Sequence, residues 1–233
     1  VYAPGGEELQ IEYLYYERTT MKNIVMYVLI LCVTVPLLAQ NTKTIILNPP
    51  DSSRGLPVMK ALSLRASANE YDTTRLSLQD LSDLLWAANG INRPDVGKRT
   101  APSAINAQDI DVYVCMASGT YLYDAKKHAL DLIIDGDYRK LVAGRQENVA
   151  KAPVICLLVS DISRFKFGAD SIKLVWAAED AGIVSQNISL FCASVGLVTR
   201  PRATMDLVKL REVMKLNKSQ YLMLNNPVSM KKE

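Results

Sequence analysis

Three patterns in this sequence predict a single domain that mixes helices with strands. Ile110 to Met116 alternates and is rich in Val, Ile and Tyr, Pro153 to Ser160 is apolar without interruption, and Ser171 to Val195 has helical spacing closed by Gly196. With 233 residues, 49% of them apolar and 22% charged, the chain is long enough to bury one good core.

The amino terminus does not fit that average. Met21-Lys22-Asn23, the apolar run Ile24 to Leu38, and Ala39 read as a secretory signal peptide over residues 21–39, cleaved after Ala39. The run is about 15 residues and contains Thr34 and Pro36, short of the roughly 20 that a spanning helix needs. Residues 1–20 are expected to be upstream or non-native sequence. A lipoprotein reading would use Cys32, but Leu31 stands before it where a small side chain is needed. The folded domain is then 40–233, exported and periplasmic if the signal is used, cytoplasmic otherwise.

The elements follow in order. Val58, Leu62 and Leu64 space a short helix between Pro57 and Arg65, which runs into Arg65-Ala66-Ser67. An arginine fork beside a serine hydroxyl suits a terminal phosphate. Ser77 and Asp80 open the next helix as a near capping box, with Leu78, Leu81, Leu84, Leu85 and Ala88 as its apolar face and Gly90 as its end. Arg99 to Gln108 is a polar loop. Pro102 pushes Ala101 into an extended conformation, and Ser103 and Asn106 are placed to cap a short turn with outward N–H groups, suited to a planar ligand.

Ile110 to Met116 is a strand, with a hairpin partner at Thr120 to Tyr123. Asp124 to His128 is a turn, Ala129 to Ile134 a weaker strand, and Tyr138 to Val142 a short helix. The continuous run Pro153 to Ser160 is expected at the centre of the sheet. The helix 171–195 is apolar on most of its circumference, which points to a face shared with a partner subunit. Lys173, Glu179, Asp180, Gln186 and Asn187 exclude it as a membrane span. Met205 to Leu216 is a last amphipathic helix, and Gln220 to Ser229 a last strand.

Several chemistries are excluded. Loss of residues 1–39 removes two basic and four acidic residues and raises the formal charge from +3 to only +5, without a basic run, which argues against nucleic acid. Cys115, Cys156 and Cys192 sit in apolar patterns without C-x-x-C spacing and read as buried side chains. His128 is the only histidine, so no multi-histidine metal site exists, and its lysine neighbours give it a structural reading. Asp135-Gly136-Asp137 lacks the further ligands of a calcium loop. Trp86, Tyr121 and Tyr123 are expected in the core.

Taken together, Arg65-x-Ser67, Leu85-Trp86-Ala87-Ala88-Asn89-Gly90, Pro102-Ser103-Ala104-x-Asn106-x-Gln108, Ala181-Gly182-x-x-x-Gln186-Asn187-x-x-Leu190, Gly196-Leu197 and Asn226-Pro227-Val228 form an ordered set. In that order and spacing, from Pro49 to Lys232, the chain resembles the flavin-dependent nitroreductase family and its azoline-peptide dehydrogenase branch. The resemblance implies an α+β fold, a central mostly antiparallel sheet wrapped by helices, and an intertwined homodimer with two FMN molecules at the subunit interface. It implies that Arg65 and Ser67 hold the FMN phosphate and ribityl chain, and that Pro102, Ser103, Ala104 and Asn106 reach the same FMN from the partner. Lys231 or Lys232 would add phosphate charge.

Three positions depart from the pattern. Asn69 stands where many members carry a second basic residue. Thr199-Arg200-Pro201-Arg202-Ala203 replaces a small sequence that places a backbone N–H near the flavin N5, and its two arginines could favour an anionic substrate. Ser229 replaces a glycine.

The implied activity is ping-pong hydride transfer from NAD(P)H to a nitroaromatic, quinone-like or related acceptor, with no dedicated catalytic side chain. The alternatives are dehydrogenation of an azoline in a peptide, or flavin binding without turnover.

Overall fold

The computed structural model describes residues 43–232. The upstream segment 1–20, the signal peptide 21–39 and Cys32 lie outside the described residues. Among the described residues nine strands and five α-helices follow in chain order: β1 Thr44–Ile46, α1 Val58–Leu64, α2 Leu78–Asn89, β2 Ile91–Arg93, β3 Lys98–Arg99, β4 Ile110–Met116, β5 Gly119–Asp124, β6 Ala129–Asp135, α3 Arg139–Ala143, β7 Val154–Asp161, α4 Asp170–Val195, β8 Leu197–Thr199, α5 Leu207–Val213 and β9 Gln220–Met230. Seven strands form one sheet in the order β1-β6-β5-β4-β7-β9-β8, and every pairing in it is antiparallel. The fold is α+β.

The two-residue period of β7 explains why helices cover both faces. Cys156 and Leu158 join Val112 and Val114 under Leu84, Leu85 and Ala88 of α2 and Ala181, Val184, Ile188 and Cys192 of α4. Ile155, Leu157 and Val159 point the other way, with Tyr113 and Cys115, toward Val142 and Ala143 of α3 and Leu210 and Met214 of the α5 region. A strand buried on both faces has no polar side to show. That is why its sequence is a continuous apolar run.

Local chemistry sets the element ends. The Ser77 hydroxyl accepts from the Asp80 N–H at 3.0 Å while the Asp80 carboxylate accepts from the Ser77 N–H, a complete capping box. Gly196 stops α4 at φ 81°, a left-handed conformation that disfavours a Cβ. In the β4–β5 hairpin Gly119 has φ 150°, and a Cβ there would lie 2.5 Å from Leu132 Cδ1 and 2.8 Å from the Ile134 carbonyl.

The long helix, expected to be apolar on most of its circumference, buries a stripe that mixes apolar and polar residues. Its buried stripe is Ala177, Asp180, Ala181, Val184, Ser185, Ile188, Ser189 and Cys192, while Ile172 and Val175 are exposed. Beside it, α1 leaves Val58, Met59, Leu62 and Leu64 exposed, with Met59 at 74%. Asp180, taken from sequence as one of the polar residues of this helix, is 3% exposed. The three cysteines are buried and free, and burial pushes the thiols of Cys115 and Cys156 up to about 12. Tyr121 and Tyr123 are core. No helix among the described residues is long and apolar enough to cross a membrane.

Candidate functional site

The residues singled out from sequence gather in two places. The first is the sheet edge at β8. Arg65 caps the end of α1, its N–H donating to the Ala61 carbonyl at 2.9 Å. The chain then runs parallel to β8: Ser67 bridges Thr199, and the Ala68 N–H donates to the Thr199 carbonyl at 3.0 Å. The side chains of Arg65 and Ser67 are exposed and make no hydrogen bond among the described residues.

Asn69 takes the place of a second basic residue and is paired with one. Its Oδ1 accepts from Arg200 Nη1 at 2.7 Å, and its carbonyl accepts from Asn148 Nδ2 at 2.6 Å. Arg200 Nη2 donates to Gln146 Oε1 at 3.0 Å. Arg200 Nε and Thr199 Oγ1 are buried without a hydrogen-bond partner among the described residues. β8 lies on β9, so Lys231 and Lys232 emerge at the same edge, where Lys232 Nζ is 3.0 Å from Glu70 Oε2. Ser229, the glycine replacement, uses its hydroxyl to accept from the Asp72 N–H at 3.1 Å and to donate to the Met230 carbonyl at 2.7 Å.

The expectation of two substrate-facing arginines is corrected at Arg202. That side chain is 6% exposed and donates to Gln146 Oε1 at 2.9 Å, Asn225 Oδ1 at 2.7 Å and the Ala143 carbonyl at 2.9 Å. Arg202 is part of the core between α3 and β9, and Arg200 alone faces outward. Gln146 and Asn148, which sequence reasoning missed, are the residues that tie this edge together.

The second place is the loop before β4. A single 3₁₀ turn, Ala104–Asn106, follows Ser103, and Ile105, Asn106 and Gln108 adopt left-handed φ of 48°, 56° and 49°. Three non-glycine residues in that region are costly and persist only where surrounding contacts hold them. Here the contacts are specific. Gln108 N–H donates to Ser103 Oγ at 2.8 Å, Arg99 Nε to Gln108 Oε1 at 3.0 Å, and Arg164 Nη1 to the Gln108 carbonyl at 2.9 Å.

The capping reading of this loop is also corrected. Ser103 occupies the N-cap position, but its hydroxyl bonds across the loop to Gln108 without capping the turn. Asn106 sits inside the turn. The Ala104 N–H points inward, 3.0 Å from both carboxylate oxygens of Asp180 on α4. Pro102 and Asn106 stay exposed and remain available to a ligand.

These two places are anchored at different stations of the long helix. The loop docks at Asp180, whereas the start of α1 docks at Ser194 near the end of α4, the Leu56 N–H donating to the Ser194 carbonyl at 3.2 Å. The stations are separated by about 14 residues of helix, roughly 20 Å at 1.5 Å per residue. His128 belongs to neither; its Nδ1 is 2.9 Å from the Tyr123 hydroxyl.

An open antiparallel sheet covered by helices on both faces, with a basic edge at one end of a long helix and a strained polar loop anchored at its middle, defines an α+β protein. A model of the nitroreductase family matches residues 62–226, and the chain belongs to that family of oxidoreductases. A solved structure from Ralstonia eutropha, provisionally named a nitroreductase, is 32% identical, covers 85% of this chain and 94% of its own, and superposes with a TM-score of 0.75. A curated relative from Methanocaldococcus jannaschii, also provisionally named a nitroreductase, is 29% identical over 180 residues, covering 72% of this chain and 88% of the relative. A Staphylococcus epidermidis structure, provisionally named an NAD(P)H:FMN oxidoreductase, shares the fold at 11% identity and a TM-score of 0.59, over 79% of this chain and 92% of its own.

Proposed function

We propose that the chain is an FMN-dependent oxidoreductase that works as a homodimer, taking hydride from NAD(P)H and passing it to a nitroaromatic, quinone-like or related acceptor. The observation that carries this reading is the division of the site. A basic edge beyond the end of α4, where the side chains of Arg65 and Ser67 are unengaged among the described residues, and a loop anchored at the middle of α4 would complete one pocket when two copies meet.

The residues fit FMN. Arg65 offers a charged fork and Ser67 a hydroxyl for the phosphate, with Lys231 and Lys232 adding positive charge at the same edge. The buried Arg200 Nε and Thr199 Oγ1, which lack partners among the described residues, sit beside them as unsatisfied polar atoms. FMN, when bound, supplies hydride acceptance and release. The chain's own part is to bind and orient: Arg65 and Ser67 hold the phosphate, Arg200 is held toward the site by Asn69 and Gln146, and Pro102 and Asn106 of the partner's loop close the pocket. Arg200 also gives an anionic acceptor or donor a cation to dock against. If residues 21–39 direct export, the electron donor is one available outside the cytoplasm.

The test is the visible spectrum of the purified chain, with the released chromophore identified by mass. We expect a yellow protein with one FMN per subunit that oxidises NADH or NADPH in the presence of an acceptor. A colourless protein that fails to take up added FMN would overturn the reading.

A further inference from the structure

A cavity of about 430 Å³ opens at the end of the sheet where the β4–β5 hairpin turns and β7 begins. Met116, Ala117 and Ser118 of that turn form one side, and Pro153 and Val154 another. Leu76 leads into α2, whose first turn contributes Leu78 and Leu81. Leu81 and Val154 belong to the core beneath, while Leu76 and Met116 are half-buried and Leu78 is 43% exposed. The floor is therefore apolar surface that water still reaches.

The rim is cationic. Arg75, Arg139 and Lys151 line the cavity, and no aspartate or glutamate does. Arg139 is occupied: its Nε and Nη2 donate to Asp137 at 2.9 and 2.6 Å, and its Nη1 donates to the Ala152 carbonyl at 2.9 Å. Arg75 and Lys151 are exposed and make no hydrogen bond or ion pair among the described residues. Glu70, on which Lys151 acts electrostatically, is paired with Lys232 at 3.0 Å. Two cations without a carboxylate of their own thus border an apolar floor.

The walls are held by hydrogen bonds of their own. The Asp72 N–H donates to Ser229 Oγ at 3.1 Å and the Thr74 N–H to Asp72 Oδ1 at 2.6 Å, which fixes the strap that carries Arg75 and Leu76. On the other side Ala150 and Lys151 end a 3₁₀ turn, Glu147–Lys151, whose Asn148 Nδ2 donates to the Asn69 carbonyl at 2.6 Å. A pocket walled in this way is formed before a ligand arrives, and its volume suits a small molecule. It shares no residue with the β8 edge at Arg65, Ser67, Thr199 and Arg200, or with the loop 102–108.

We propose that this cavity is a second ligand site that takes a small amphipathic carboxylate, its apolar body on the floor at Leu76, Leu81, Met116 and Val154 and its head group answered by Arg75 and Lys151. Charge decides the class. A carboxylate gains charge-assisted hydrogen bonds from guanidinium and ammonium donors, whereas an ammonium of the same length meets cations only and a neutral chain gains only the apolar burial. The N–H groups of the first turn of α2 add little, because Ser77 and Asp80 close their capping box there. A site here stands whether or not FMN binds at the β8 edge.

The experiment titrates the purified protein calorimetrically at pH 7.5 with octanoate, octan-1-ol and octylamine, which share a chain and differ in head group, with and without added FMN. We expect one octanoate per chain with a Kd below about 1 mM, at least about tenfold tighter than octylamine. The double variant Arg75→Glu with Lys151→Glu should reverse that order, since both positions are exposed and the floor is untouched. A reversal is a gain of binding that a damaged fold cannot give. Met116 reports the location: its methyl resonance, assigned with Met116→Leu, should move along the octanoate titration with the same Kd.

Absence of saturable octanoate binding, equal affinity for octanoate and octylamine, an unreversed order in the double variant, or shifts confined to other methionines would each overturn the proposal. Displacement of octanoate by FMN would assign the carboxylate to the flavin edge and overturn a separate site. Octanoate binding that persists in a protein unable to take up FMN would uphold this site while refuting the cofactor reading.

Discussion

Replacing Arg202 by Met tests whether this residue belongs to the core or to the substrate site. Arg202 is 6% exposed, and its backbone exchanges hydrogen bonds with Asn225 at 2.9 and 2.7 Å. The substitution keeps most of the apolar stem and removes the donors to Gln146, Asn225 and the Ala143 carbonyl. Asn225 is itself fully buried, and the Ala143 carbonyl lies in the core, so two acceptors lose their charged donor where water cannot replace it. Each orphaned acceptor costs about 1–3 kcal/mol, and relief from burying a guanidinium offsets part of the sum. Burial already lowers the Arg202 pKa, which shows that its charged form pays for that position. The net expectation is a destabilisation of about 3 kcal/mol, read as a shift of roughly 1 M in the midpoint of urea unfolding. Arg200→Met, at a half-buried residue held by two side-chain amides, should cost less than about 1 kcal/mol and act on substrate affinity instead. Equal midpoints for Arg202→Met and the parent would refute the core assignment.

Four further outcomes are expected. Arg65→Ala should weaken FMN binding by about 1.5–3 kcal/mol, roughly 10- to 150-fold in Kd, without moving the unfolding midpoint; titration of the apoprotein checks both. Leu158→Ala, at a 0% exposed position of β7, should cost about 2–5 kcal/mol in the same urea assay. Burial holds His128 below the usual histidine pKa of 6.5, so the unfolded chain takes up its proton first and stability is lost as pH falls below about 6.5. His128→Gln should flatten that acid-side loss between pH 7 and 5. Met59→Glu, at a 74% exposed position of α1, should abolish dimerisation and FMN binding together, as seen by sedimentation and absorbance; a monomer that still bound FMN tightly would place the whole site in one chain.

Much of this fold was legible because its signals are local. Ser77 with Asp80, the stop at Gly196 and the unbroken apolar run of β7 each reflect contacts made within a few residues or with a whole face. The elements that sequence reasoning missed are those made by pairing. β1 and β8 are three residues each and become strands only because β6 and β9 present free edges to them. That Arg65, Ser67 and Arg200 gather at one edge reflects residue types already visible in the sequence. Gln146 and Asn148 were not legible, since they lie between α3 and β7 without periodicity and gain their roles from Asn69, Arg200 and Arg202 far along the chain. Asp180 did leave a trace. It falls on the helix stripe of Ala177, Ala181, Val184 and Ile188, where a carboxylate demands a buried partner.

The geometry of α4 supports the proposed homodimer. Its middle anchors the loop 102–108 and its end anchors the start of α1, so both halves of the site are fixed to one rigid rod and cannot approach each other. In the proposed homodimer a two-fold axis would set the loop of one copy against the basic edge of the other and generate two identical sites at once. The same operation would cover apolar residues that the fold leaves exposed, Val58, Met59, Leu62 and Leu64 on α1 and Val175 on α4. Burial of that surface would drive association. The polar site would form as its geometric consequence, so cofactor affinity and dimer affinity should be linked in this protein, each raising the other by the same factor.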